Sequence, residues 1–111
     1  MIELIIKNYL DGHLDVPSFL EKRSDMPATY VLFEKTSGTQ SNYLKSATFA
    51  FQSYAPSMYQ AALLNEKLKE VVLSLDTLAE VSGVSLNSDY NFTDTESKEY
   101  RYQAVFDINF Y

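Results

Sequence analysis

From Glu99 to Tyr111 the chain reads "EYRYQAVFDINFY". The even positions are Tyr100, Tyr102, Ala104, Phe106, Ile108 and Phe110, and the odd positions between them are Arg101, Gln103, Val105, Asp107 and Asn109. Alternation with period two sends successive side chains to opposite faces of a strand. One face here is apolar and the other mainly polar. At about 3.3 Å per residue the segment spans roughly 35–40 Å, longer than most strands. Such a strand has to lie inside a sheet or have its edge covered, because bare edges invite uncontrolled pairing. The rest of the chain must therefore supply strand neighbours and something to bury the apolar face.

Those neighbours are readable upstream. "TYVLFEK" is rich in β-branched and aromatic residues and predicts a strand. "TSGTQSN" is the most turn-like stretch, with Gly38 in a polar cluster. "YLKSATFAFQSYA" returns as a second strand, giving a hairpin with a loop longer than the two-residue type. Pro56 and Ser57 then open a long helix, with Pro56 suited to the first helical position and "SMYQ" carrying Ser-x-x-Gln capping-box spacing. Its expected buried stripe is Ala61, Leu64, Leu68, Val71, Val72 and Leu75. "TLAEVSGVSLN" predicts another strand, bulged at Gly83. "SDYNFTDTESKE" reads as a polar loop before the closing strand.

At the N-terminal end, Ile2, Ile5, Ile6, Tyr9 and Leu10 share one face of a short helix over residues 2–11. Gly12 is its expected stop. "HLDV" predicts a short strand ended by Pro17, and "SFLEKRSDMPA" an extended connection. Strands interrupted by helices, without regular alternation, define an α+β class. The expectation is one domain over residues 1–111: a mostly antiparallel sheet with the long helix packed on one face and a short N-terminal helix.

Composition narrows the function classes. The chain has 111 residues, a net charge of −6 and nine scattered basic residues, which argues against sequence-specific nucleic-acid binding. It has no cysteine, so disulfide and thiolate chemistry are excluded. No apolar run reaches the ~20 residues of a membrane helix, and "MIELIIKNYL" carries an early acidic residue and no cleavage signal. The sequence reads as a soluble protein made inside the cell.

The residues for catalysis are sparse. His13 is the single histidine, and a metal site needs several converging ligands. Asp89, Asp94 and Glu96 lack the spacing of a calcium loop; a solvated acidic loop is the simpler reading, with weak cation binding left open. No Gly-x-Ser-x-Gly elbow and no Gly-Lys-Ser/Thr phosphate loop is present. The expectation is a protein that is not an enzyme, with no cofactor and no metal. Nine Tyr and seven Phe instead suggest packing and contact. Phe49, Phe51, Phe106, Ile108 and Phe110 fit a core. Tyr43, Tyr54, Tyr59, Tyr90 and Tyr111 exceed what one small core needs, and some are expected at a protein–protein contact.

The order of these signals resembles the tail terminator, or tail completion, proteins that join tail to head in long-tailed bacteriophages. The resemblance rests on a helix ending in "YLDG", on the segment from Pro27 to Gly38, on "FAFQSYAPSMYQAALLNEKLKEVV", and on "RYQAVFDINF". It covers nearly the whole chain, each motif being a loose pattern. It implies a structural virion protein that forms a six-fold ring on the head-proximal end of the tail tube. Such a ring ends tube polymerisation and offers the head-docking surface. The implied partners are further copies of itself, the tail tube protein and a head–tail connector or stopper protein, with DNA passing through the lumen. The acidic balance suits such a conduit.

Two loops are the expected assembly residues: Ser37, Gly38, Thr39, Gln40, Ser41, Asn42 and Tyr43 in the hairpin, and Tyr90, Asn91, Phe92, Thr93 and Asp94 before the closing strand. Both are expected to order on binding. Another connector component, or a small module that captures a peptide strand on its sheet edge, are the alternatives.

Overall fold

The computed structural model describes residues 1–41 and 44–111. In chain order the elements are α1 (Ile2–His13), β1 (Ser18–Phe19), β2 (Tyr30–Ser41), β3 (Leu44–Tyr54), α2 (Met58–Leu73), β4 (Val81–Asn91) and β5 (Arg101–Phe110); a 3₁₀ turn, Ser74–Thr77, continues α2. The strands form one five-stranded sheet in the order β1-β2-β3-β5-β4. Only β1 runs parallel to its neighbour; all other pairings are antiparallel. The fold is α+β.

The closing strand lies inside the sheet, between β3 and β4. Its even residues Ala104, Phe106 and Ile108 are fully buried. They join Val31 and Phe33 of β2 and Ala47, Phe49 and Phe51 of β3 on one face. Phe51 meets Phe106 edge-on at 5.8 Å and stacks on Phe33 at 5.4 Å, distances at which ring quadrupoles attract. α1 covers this face with Ile2, Ile6 and Leu10, and α2 with Leu68, Val71 and Val72. Each fully buried Phe contributes roughly 1.5–3 kcal/mol relative to exposure.

The helix ends differ in part from expectation. Ser57 is the N-cap of α2, its Oγ accepting from the Gln60 amide at 3.2 Å. The helix therefore begins at Met58, and Pro56 stands one residue before the N-cap and not at the first helical position. The buried stripe includes Asn65, only 1% exposed, which sequence periodicity did not flag; Leu64 is half-buried. Asn65 donates to Asp89 of β4 at 3.3 Å. α1 runs through Gly12 to His13, because the Leu14 amide still reaches Leu10 O at 2.8 Å. The short strand is Ser18–Phe19, and "HLDV" forms none. Pro17 lacks an amide but its carbonyl accepts from Val31 at 3.0 Å, so pairing starts after it. Asp11 then fixes Ser18, accepting from its hydroxyl at 2.6 Å and its amide at 3.1 Å.

The opposite sheet face carries polar cross-strand rows. Thr48 and Asn87 both donate to Asp107, at 2.7 and 3.2 Å. Gln52 donates to Gln103 at 2.9 Å, and Gln103 donates to the Tyr90 hydroxyl at 2.5 Å. The β4 register shifts between Val81 and Gly83, next to the expected bulge, and again between Leu86 and Ser88. The second bulge contains Asn87, one of the two donors to Asp107.

Candidate assembly surface

The hairpin expected to end in a long loop keeps its ladder. β2 pairs with β3 as far as Ser41↔Leu44, so Ser37, Gly38, Thr39, Gln40 and Ser41 are strand residues. Only Asn42 and Tyr43 separate the strands, and both lie outside the described residues. The polar Thr/Ser/Gly composition misled because a hairpin ladder needs backbone groups alone, and β3 supplies them. One irregularity lies between Lys35 and Ser37, where the Thr36 hydroxyl donates to Thr48 O at 3.2 Å.

The distal stretch, Thr36–Ser41 with Leu44–Ser46, forms an arm. Every β2 residue from Glu34 onward is exposed, while Tyr30, Val31 and Phe33 are buried. β1 pairs with β2 only at Val31 and Leu32, so the outer edge of the arm is open among the described residues. On the side that faces the helices elsewhere, the arm holds an open concavity of about 420 Å³. It is lined by Lys35 and Lys45, by Ala47 and Phe110, and by the polar stretch Gly38, Thr39 and Gln40 with Ser46. Lys45 Nζ sits 6.0 Å from the Phe110 ring centroid, within reach of a cation–π attraction. A Cβ added at Gly38 would lie 3.6 Å from Lys35 Nζ, so that lysine is folded across the glycine. Neither lysine forms an ion pair among the described residues.

Sequence reading missed these two lysines, though a signal existed. Lys35 continues the parity of Val31 and Phe33, and Lys45 that of Ala47, Phe49 and Phe51. Each is a charge placed on an apolar alternation where the helical cover has stopped.

The second expected loop is shorter than its sequence suggests. Tyr90 and Asn91 belong to β4, paired with Gln103 and Tyr102. Phe92, Thr93 and Asp94 lead into a turn closed by an Asp94↔Glu99 bridge, with Lys98 at φ 56°. Hydrogen bonds within the turn connect its residues to one another. Asp94 Oδ1 accepts from the amides of Glu96 at 3.1 Å and Ser97 at 3.4 Å. Hydrogen bonds from the Ser97 side chain and from the Glu96 and Ser97 amides hold the Asp94 carboxyl below the usual carboxylate range. Arg101 Nε donates to Phe92 O at 2.7 Å, and its guanidinium lies 4.7 Å from the Phe92 ring centroid. Tyr90 and Phe92 meet edge-on at 5.9 Å and both remain exposed.

The two expected regions are not brought together. The arm pairs with the Phe110 end of β5 and the turn follows from the Arg101 end. Nine residue steps at about 3.4 Å put them roughly 30 Å apart, in a molecule whose longest extent is 45 Å.

Of the tyrosines expected at a contact, Tyr59, Tyr90 and Tyr111 are exposed. Tyr54 is buried, stacked on Tyr30 at 4.5 Å and accepting from Arg101 at 3.1 Å. Tyr43 lies outside the described residues. Burial pushes the Tyr30 hydroxyl above its ordinary pKa.

His13 is the last residue of α1, its Nδ1 2.8 Å from Tyr9 O and its ring stacked on Tyr9 at 4.0 Å. Among the described residues no three His, Asp or Glu side chains gather as metal ligands. Among them, too, no helix is long and apolar enough to cross a membrane. No family model matches the chain, and no curated protein matches it.

Proposed function

We propose that this protein is a structural virion subunit of the tail terminator kind. It works by closing into a ring on the head-proximal end of a phage tail tube. The ring stops further addition of tube subunits and presents the surface to which the head docks. No bond is made or broken; function resides in surface shape and charge.

The observation that carries this reading is the arm. The β2–β3 ladder persists through Ser41↔Leu44, past the residues that the helices bury. Ordering exposed residues costs about 1–2 kcal/mol each in backbone entropy, and here little apolar burial offsets it within one chain. A partner that covers the arm supplies that offset. The arm and the Asp94 turn stand at opposite ends of the sheet, the arrangement a head-to-tail interface uses when it closes on rotation. Peptide capture on a sheet edge has less support, because β4 carries two bulges and the open edge of the arm is broken by the irregularity between Lys35 and Ser37, and bulges blunt strand addition.

Electron microscopy of particles assembled without this protein tests the reading. The expected outcome is tails of uncontrolled length, or finished tails that fail to join heads. Tails of normal length beside heads that lose their DNA would instead assign it to another connector position. Normal virions would remove it from tail assembly altogether.

A further inference from the structure

We infer that the arm of one copy receives the Asp94 turn of the next, an ionic, head-to-tail contact between identical chains. This rests on the ring reading and names the two surfaces that make the ring.

The arm is electropositive in a chain that carries −6 overall. Lys35 and Lys45 flank the concavity, and among the described residues no Asp or Glu lines it. Glu34 and Asp107 lie near in sequence or register but point to the opposite sheet face, by the alternation of β2 and β5. Of the other basic residues, Lys7, Lys22, Lys69, Arg23 and Arg101 have acidic neighbours within 4.0 Å, while Lys67 and Lys98 form no ion pair among the described residues. Two ammonium groups without an ion pair among the described residues, beside the half-buried Phe110 ring, call for a ligand that is acidic and partly aromatic.

The far end of the same chain presents that ligand. Asp94 and Glu96 are exposed on a turn already fixed by its own hydrogen bonds. A preformed loop loses little entropy on docking. The Asp94 carboxylate stays charged to lower pH than usual, and exposed Phe92 beside it offers a ring to half-buried Phe110 in the concavity. Like surfaces repel: arm against arm sets Lys35 and Lys45 together, and turn against turn sets Asp94 and Glu96 together, an excess of negative charge that Lys98 of the same turn offsets only in part. Charge therefore disfavours a two-fold dimer and favours the polar, repeating contact that makes a ring.

The test is sedimentation velocity over a concentration series, with the full chain and reversed charges. Wild type is expected to associate, and less so as salt rises, since exposed pairs are screened. Lys35→Glu with Lys45→Glu should weaken association at least tenfold, and Asp94→Lys with Glu96→Lys should do the same. A one-to-one mixture of the two variants should recover it, because each then offers the other a complementary surface. Lys67→Glu, an exposed lysine of α2 without an ion pair among the described residues, should leave association unchanged. Unfolding midpoints near wild type show that each variant is folded; either pair unfolding can be replaced by the single Lys45→Glu or Glu96→Lys change, with the same expectation at smaller size. Wild type that stays monomeric to the millimolar range overturns the contact. So does a reversal without effect, or a mixture that fails to recover. Rings that persist in the lysine variant would reject this contact while leaving the ring reading intact. The tail phenotype judges that reading separately.

Discussion

The inner and outer halves of one hairpin follow the same backbone rule and end in opposite environments. At the inner half, Phe33 faces Phe51 and both are buried under α1 and α2. At the outer half, Gly38 faces Ala47 and Gln40 faces Lys45, with β2 exposed throughout. Pairing alone does not explain why the outer half exists. The inner half stabilises the fold through burial; the outer half adds a surface. Separating these two roles by substitution is the way to test the difference.

The largest expected effect is at the inner half. Phe106→Ala removes a ring at 0% exposure that meets Phe51 edge-on, and should lower the unfolding free energy by about 3–5 kcal/mol. Urea denaturation measures it, and a loss below about 1 kcal/mol would mean that the aromatic cluster is not the main support. Next comes Asp11→Ala, which leaves Ser18 without the acceptor of its amide and hydroxyl. A loss of about 1–2 kcal/mol is expected. Burial pushes the Asp11 carboxyl up, but hydrogen bonds from Ser18 and Lys7 outweigh it and hold the group below its ordinary value. A lowered folded-state pKa gives stability that is present above the ordinary carboxylate pKa of about 3.9 and disappears as pH falls through the lowered value. The wild-type advantage over Asp11→Ala should therefore shrink below about pH 4, and unfolding midpoints that differ equally at pH 2 and pH 6 would contradict it.

Ser57→Ala removes the N-cap acceptor for the Gln60 amide and should cost about 1 kcal/mol, read as a shift in the thermal midpoint. The smallest effect belongs to the arm. Gln40→Ala, at an exposed position, should change stability by less than about 0.5 kcal/mol. A larger loss in urea titration would show that the arm supports the fold, and the distinction between the halves would fail.

Sequence patterning revealed the parts governed by periodicity. The alternation of Ala104, Phe106 and Ile108, the capping of α2 by Ser57, and the irregularity beside Gly83 all appear where local chemistry places them. The extent of the hairpin and of β4 was hidden, since Ser37–Ser41 and Ser88–Asn91 have turn-like composition and are held as strands by partners distant in sequence. Ser18–Phe19 was hidden for the same reason, resting on Asp11 and on β2. Of the candidate surface, the two regions were legible as polar and aromatic stretches. Their placement at opposite ends of β5, and the lysines that flank the arm, needed the register.

The central claim is that the arm serves assembly and not folding. A shortened chain tests it most directly: residues 40–45 removed, with Thr39 joined to its ladder partner Ser46 through Asn-Gly, the preferred tight hairpin turn. Electron microscopy and urea denaturation of this variant should find rings absent and unfolding free energy within about 1 kcal/mol of wild type. Rings that still form, or a chain that no longer folds, would contradict the account.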